Sequence, residues 1–109
     1  MVGGLGETVV EGLAVPAHLF VRSGKLIGRQ FLLGEPVTLG RSPDNVIHLD
    51  DQKVSRHHAR IEGGDGRYFI EDLGSSNGTT VNGQLINQKT ALQIGDQIAI
   101  GSTLFELMN

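Results

Sequence analysis

Turn signals built on glycine cut this chain into short pieces, and that punctuation limits what it can fold into. Glycine occurs 16 times in 109 residues, about twice the average usage. Much of it sits in turn pairs: Ser23-Gly24, Gly34-Glu35, Asn77-Gly78, Asn82-Gly83, Gly95-Asp96 and Gly101-Ser102. Such pairs supply the positive φ angles that tight turns require. Between them, apolar residues tend to alternate with polar ones. Ala59 to Glu62 reads in that way, and Arg67 to Leu73 sets Phe69 and Glu71 on one face against Tyr68, Ile70 and Asp72 on the other. No stretch carries the apolar stripe of an amphipathic helix.

The short runs predict strands at Leu19 to Val21, Gln30 to Leu33, Pro36 to Leu39, Val46 to Leu49, Ala59 to Glu62 and Arg67 to Leu73. Three more follow at Leu92 to Ile94, Gln97 to Ile100 and Thr103 to Leu107. Gly63-Gly64-Asp65-Gly66 is the strongest hairpin signal. With the closely spaced Asn77-Gly78 and Asn82-Gly83 turns, these runs make about ten or eleven short strands, which indicate an all-β fold, an antiparallel β-sandwich. Residues 1–16, rich in Gly and small side chains and without a basic residue, read as an N-terminal tail, and residues 17–109 as one domain.

Bulk chemistry excludes several classes. A formal charge of −3 does not offer the basic face that non-specific nucleic-acid binding needs. No apolar run approaches the roughly 18 residues of a membrane span, and the N-terminus has no signal-peptide pattern. Cysteine is absent, which removes disulfides, thiolate zinc sites and thiol nucleophiles and fits a reducing, cytoplasmic setting. No Gly-x-x-x-x-Gly-Lys-Ser/Thr phosphate loop occurs. The adjacent His57-His58 pair fits no common metal chelate, because successive strand residues point to opposite faces. Neither a metal nor a cofactor is expected.

Three segments concentrate polar and glycine residues that a core does not need. They are Gly40-Arg41-Ser42, Val54-Ser55-Arg56-His57-His58, and Gly74-Ser75-Ser76-Asn77-Gly78-Thr79 with the following Val81-Asn82-Gly83. Their order and spacing resemble the forkhead-associated (FHA) domain family, whose pattern is Gly-Arg, then Ser-x-x-His, then Ser/Thr-Asn-Gly-Thr ending in Asn-Gly. The resemblance runs from about Ala17 to Met108. It implies an eleven-stranded sandwich whose loops, at one end, bind phosphothreonine peptides without chemical turnover.

On that resemblance Arg41, Ser55, Arg56, Ser76 and Asn77 form the phosphothreonine site. The residue chemistry agrees. Arg41 offers a permanently charged planar fork suited to two phosphate oxygens, and Ser55 offers a hydroxyl and a turn N–H. Arg56 would add a second guanidinium and Ser76 a further contact. The Asn77 amide both donates and accepts, so it could hold the peptide backbone, while Asn77-Gly78 also favours a left-handed turn. Gly40, His58, Gly78, Asn82 and Gly83 are assigned to structural support.

Ser55 with His58 has the residue types of a nucleophile and base, but nothing in the sequence marks an orienting carboxylate or oxyanion hole to accompany them. The resemblance implies a phosphothreonine-containing partner, a Ser/Thr kinase or its substrate; a monomeric domain is expected, with the oligomeric state left open. Thr8, between Glu7 and Glu11, is a candidate regulatory phosphosite, because tails of some small bacterial FHA regulators fold back when phosphorylated. The alternative is an interaction module on the same fold that binds partners, or itself, independently of phosphorylation.

Overall fold

A computed structural model describes residues 16–109; Thr8 and the rest of residues 1–15 lie outside it. Eleven strands follow one another: β1 (His18–Ser23), β2 (Gln30–Leu32), β3 (Val37–Gly40), β4 (Ile47–His48), β5 (Ala59–Gly64), β6 (Arg67–Asp72), β7 (Thr80–Val81), β8 (Gln84–Leu85), β9 (Thr90–Leu92), β10 (Gln97–Ile100) and β11 (Thr103–Met108). They form a six-stranded sheet ordered β2-β1-β11-β10-β7-β8 and a five-stranded sheet ordered β4-β3-β5-β6-β9.

Alternation decides which face of each strand turns inward. Leu19, Val21, Ile98, Ile100, Phe105 and Leu107 of the first sheet meet Val37, Leu39, Ala59, Ile61, Tyr68 and Ile70 of the second, and all are buried. Burying one such large side chain is worth about 1.5–3 kcal/mol relative to leaving it exposed. Tyr68 keeps its polar tip satisfied, since its hydroxyl accepts the Ala17 N–H at 3.0 Å. No helix among the described residues is long and apolar enough to cross a membrane.

Two hairpins close as their turn residues dictate. Gly64 pairs with Arg67 across Asp65 (φ 54) and Gly66 (φ 78), the doubly positive pattern of a type I′ turn. Val81 pairs with Gln84 across Asn82 (φ 52) and Gly83 (φ 83) in the same way.

The sequence pattern suggested an antiparallel sandwich, and the structure departs from that at one strand pair. β3 and β4 run parallel, with Leu39 opposite Ile47 and Gly40 opposite His48. A parallel connection ordinarily needs a long crossover. Here the chain doubles back within residues 41–46, held by the Asn45 N–H on the Ser42 carbonyl at 3.2 Å, and β4 contributes only two residues at the sheet edge. The ninth strand also lies earlier than expected. It ends at Leu92, and Ile94 belongs to the turn before Gly95, where it is exposed.

Candidate phosphopeptide-binding site

Three loops leave the same end of the sandwich: residues 41–46 after β3, 49–58 between β4 and β5, and 73–79 between β6 and β7. They are stitched together mainly by bonds between side chains and backbone.

The first two loops lie side by side. The Arg41 N–H donates to the Ser55 carbonyl at 2.9 Å and the Ser42 N–H to the Arg56 carbonyl at 3.2 Å. Arg41 also anchors its own side chain, because Nε donates to the Val54 carbonyl at 3.0 Å. That bond fixes the guanidinium plane while its terminal amino groups remain available for a ligand. Gly40 is needed where the loops touch. A Cβ there would stand 2.1 Å from the Arg56 carbonyl oxygen, a distance no side chain tolerates.

His58 ties the second loop to the third and is fully buried. The Ser55 N–H donates to Nδ1 at 3.0 Å, so that nitrogen carries a lone pair. Nε2 therefore bears the proton and donates it to the Gly78 carbonyl at 2.8 Å. Both ring nitrogens are engaged with backbone, so the imidazole has none left to take a proton from the Ser55 hydroxyl. Ser55 Oγ instead accepts the Ser76 N–H at 3.0 Å, which joins the two loops again and leaves the Ser55 hydroxyl proton free to donate.

The third loop is organised by Asp72, which the sequence reading did not single out. Its carboxylate accepts the Ser75 hydroxyl at 2.6 Å and the Thr79 hydroxyl at 2.7 Å. It also accepts the backbone N–H groups of Ser75 at 2.9 Å and Gly74 at 3.1 Å. Partial burial pushes its pKa up, but the bonds from Ser75 and Thr79 outweigh burial and hold it below the ordinary value. The Ser75 hydroxyl in turn accepts the Gly78 N–H at 2.9 Å. Asp51 braces the second loop similarly: the N–H groups of Lys53 and Ser102 on its carboxylate lower its pKa.

The predicted site residues thus meet with one division among them. Arg41, Ser55, Arg56 and Ser76 gather where the three loops converge. Asn77 sits beside them and spans to the second loop, donating from Nδ2 to the Lys53 carbonyl at 2.8 Å. Its Oδ1 remains open, and the left-handed residue of the Asn77-Gly78 pair is Gly78 (φ 87). Gly40, His58 and Gly78 lie in the bracing. Asn82 and Gly83 lie elsewhere, at the far tip of β7. There the Asn82 amide donates to Asp96 at 3.0 Å and accepts the Gln97 N–H at 2.9 Å, which secures β7 to β10 rather than joining the loops.

Asn45 also escaped the sequence reading. It is buried, and its Nδ2 donates to both the Ser42 and Arg56 carbonyls, each at 2.7 Å. At the rim, Asp44 accepts from exposed His57 at 3.2 Å. A hydrogen bond from the Ser42 side chain, and secondarily His57, lowers the Asp44 pKa.

Three loops at one end of a β-sandwich thus bring the candidate residues together. The FHA domain family matches residues 37–101. The chain belongs to the FHA domain family, a family of phosphothreonine-binding modules. It is 44% identical over 97 residues to the oxoglutarate dehydrogenase inhibitor of Corynebacterium glutamicum, covering 87% of this chain and 67% of that protein. It is 46% identical over 96 residues to the glycogen accumulation regulator GarA of Mycolicibacterium smegmatis, covering 84% and 59%. The chain therefore spans roughly three-fifths to two-thirds of these relatives. Among solved structures, the FHA domain of a Chlamydia trachomatis protein superposes with a TM-score of 0.80 at 38% identity, covering 86% of this chain and 97% of that one. Mycobacterium tuberculosis EmbR in complex with a low-affinity phosphopeptide gives 0.81 at 36%, covering 93% and 26%.

Proposed function

We propose that this chain binds phosphothreonine-containing peptides reversibly, with Arg41, Ser55, Arg56 and Ser76 on the phosphate and Asn77 on the peptide backbone. The observation that carries this reading is the anchored Arg41, whose Nε bond to the Val54 carbonyl presents the rest of the guanidinium beside the Ser55 and Arg56 loop. Phosphothreonine brings nearly two negative charges and three acceptor oxygens. Each charge-assisted hydrogen bond contributes about 1.5–3 kcal/mol net, so two or three of them separate phosphorylated from unphosphorylated threonine by orders of magnitude in affinity. A small cleft for the threonine methyl would favour threonine over serine. The partner is a Ser/Thr kinase or a kinase substrate, which puts the module in the cytoplasm, where ATP-dependent kinases act. Binding involves no turnover, and both nitrogens of His58 are committed to structure.

Calorimetric titration tests this directly. Wild type and Arg41→Ala are titrated with one peptide sequence carrying phosphothreonine, phosphoserine or threonine. The expected result is binding of the phosphothreonine form alone, or strongly preferred, and its loss in Arg41→Ala. Thermal melting of the variant checks the fold, since the bond to Val54 is lost as well. Undiminished phosphopeptide binding by a folded Arg41→Ala would overturn the reading and move recognition to another surface.

A further inference from the structure

We propose that Asn45 is a positioning residue for the phosphate site, holding the two arginine-bearing loops at a fixed spacing before any ligand arrives. The inference rests on the phosphate-binding reading of Arg41 and Arg56. Arg41 and Arg56 put two like charges on adjacent loops, so the bonds that join these loops without phosphate must set their spacing: two backbone bonds, Arg41 Nε on the Val54 carbonyl, and His57 with Asp44 at the exposed rim. The buried Asn45 amide adds one bond between the loops, from Nδ2 to the Arg56 carbonyl at 2.7 Å, and one that fixes its own loop, to the Ser42 carbonyl at 2.7 Å.

The Arg56 carbonyl is where these constraints converge. It accepts from Asn45 and from the Ser42 N–H at 3.2 Å, and the bare Cα of Gly40 presses against it. Arg56 thus has its backbone held from three directions while its side chain is exposed. That combination suits a ligand-directed arginine, since a fixed carbonyl fixes where the side chain starts and reduces what binding must order.

Asn45 bears a second mark of a residue kept for position. It is 7% exposed, and its Oδ1 is buried with no hydrogen-bond partner. Turning the amide over would not help, because Oδ1 would then face the Ser42 and Arg56 carbonyl oxygens. A buried acceptor without a partner is unfavourable, so a side chain chosen for stability alone would be apolar here. The site retains the asparagine and its orphaned oxygen because both donors of Nδ2 are needed.

The test pairs Asn45→Leu, which keeps the volume but removes the donors and the orphaned acceptor, with Asn45→Ala. Three readouts are taken: thermal midpoint, backbone amide exchange by NMR, and titration with a phosphothreonine peptide. A positioning role predicts that Asn45→Leu melts within a few degrees of wild type. Its Ser42 and Arg41 amides exchange faster while Ser75 and Gly78 on the third loop do not. Its phosphopeptide affinity falls at least about tenfold, as expected when two net hydrogen bonds of loop order are lost. Unchanged Ser42 exchange, or affinity within twofold of wild type, would overturn the inference. If neither variant folds, the Asn45 side-chain protons of wild type are followed instead. Slow exchange that slows further with phosphopeptide supports the role, and fast exchange in both states refutes it. The exchange measurement on the free protein stands apart from the ligand. Wild type that fails to bind phosphothreonine sinks the functional reading, whereas fast Asn45 exchange sinks only this one.

Discussion

At one end of this sandwich Asp65-Gly66 and Asn82-Gly83 close hairpins in two residues each, by backbone conformation, with both residues at positive φ. At the other end, residues 41–46, 49–58 and 73–79 make longer excursions and are held by side chains bonded to distant backbone groups. Asn45 bonds the first loop to the second, His58 the second to the third, Asn77 the third back to the second, and Asp72 shapes the third from within. The Asp65-Gly66 hairpin needs only the right residues in the right two places, and Asn82 adds side-chain bonds to Asp96 and the Gln97 N–H. The long end needs a polar network, and each member of it can be removed to ask whether the network serves stability, ligand binding or both.

Gly40→Ala should have the largest effect, because the new Cβ would meet backbone, which cannot swing aside. With the Arg56 carbonyl oxygen at 2.1 Å and Asn45 Nδ2 at 2.8 Å, the first two loops must separate. Overpacking of this kind costs about 3 kcal/mol, a fall in melting temperature on the order of 10–20 °C for a domain of this size. Phosphopeptide affinity should fall with it. An unshifted melting curve would show that the loop junction is soft and would dissolve the contrast between the ends.

His58→Ala comes next. It removes the links to Ser55 N–H and Gly78 carbonyl and leaves a buried hole, a loss of about 2 kcal/mol or more by denaturant unfolding. Binding should weaken further than stability alone explains, since Ser55 and the third loop lose their common brace. If binding is unaffected while stability falls, the imidazole supports the fold without ordering the site.

Acid should loosen the third loop through Asp72. Its folded pKa is held below the ordinary value of 3.8, so the ionised form is favoured by folding. Its stabilising contribution is complete above that ordinary value and declines as pH falls below it toward the depressed folded value. Melting temperature followed against pH should therefore show wild type converging on Asp72→Asn in acid, with the widest gap near neutrality. A constant gap across the range would mean that the carboxylate charge adds nothing to the loop.

The same contrast explains what could be read from the sequence. Strand alternation and Asn-Gly or Asp-Gly turns are local codes, so most strands and the Asp65-Gly66 hairpin were legible residue by residue. Arg41, Ser55, Arg56, Ser76 and Asn77 were legible as a spaced motif. Asn45 and Asp72 were not, because their partners are backbone groups whose direction is set only once the loops have folded. Asn45 reaches a carbonyl eleven residues away, and no composition rule marks that. The parallel β3-β4 pair was hidden for a related reason: it follows from the doubling back of residues 41–46, not from any periodicity in β4. Asn82-Gly83 was legible as a turn and was assigned to structural support, but its partners Asp96 and Gln97 were not, because they meet it only through the pairing of β7 with β10.

The smallest effect belongs to the short end, and it tests the contrast from the other side. Asp65 takes φ 54 without being glycine, a conformation that aspartate tolerates better than most residues. Asp65→Ala keeps the hairpin length but loses that tolerance, and should cost about 1 kcal/mol by denaturant unfolding. Asp65→Gly should lie within about 0.5 kcal/mol of wild type, because the ease of positive φ is offset by the greater freedom of the unfolded glycine. Neither change should alter phosphopeptide affinity, because Asp65 lies at the opposite end of β6 from Asp72 and the loops. A drop in affinity for Asp65→Ala greater than its loss of stability would mean that the two ends are coupled along β5 and β6. The loop network could then no longer be treated as a unit separate from the strands that carry it.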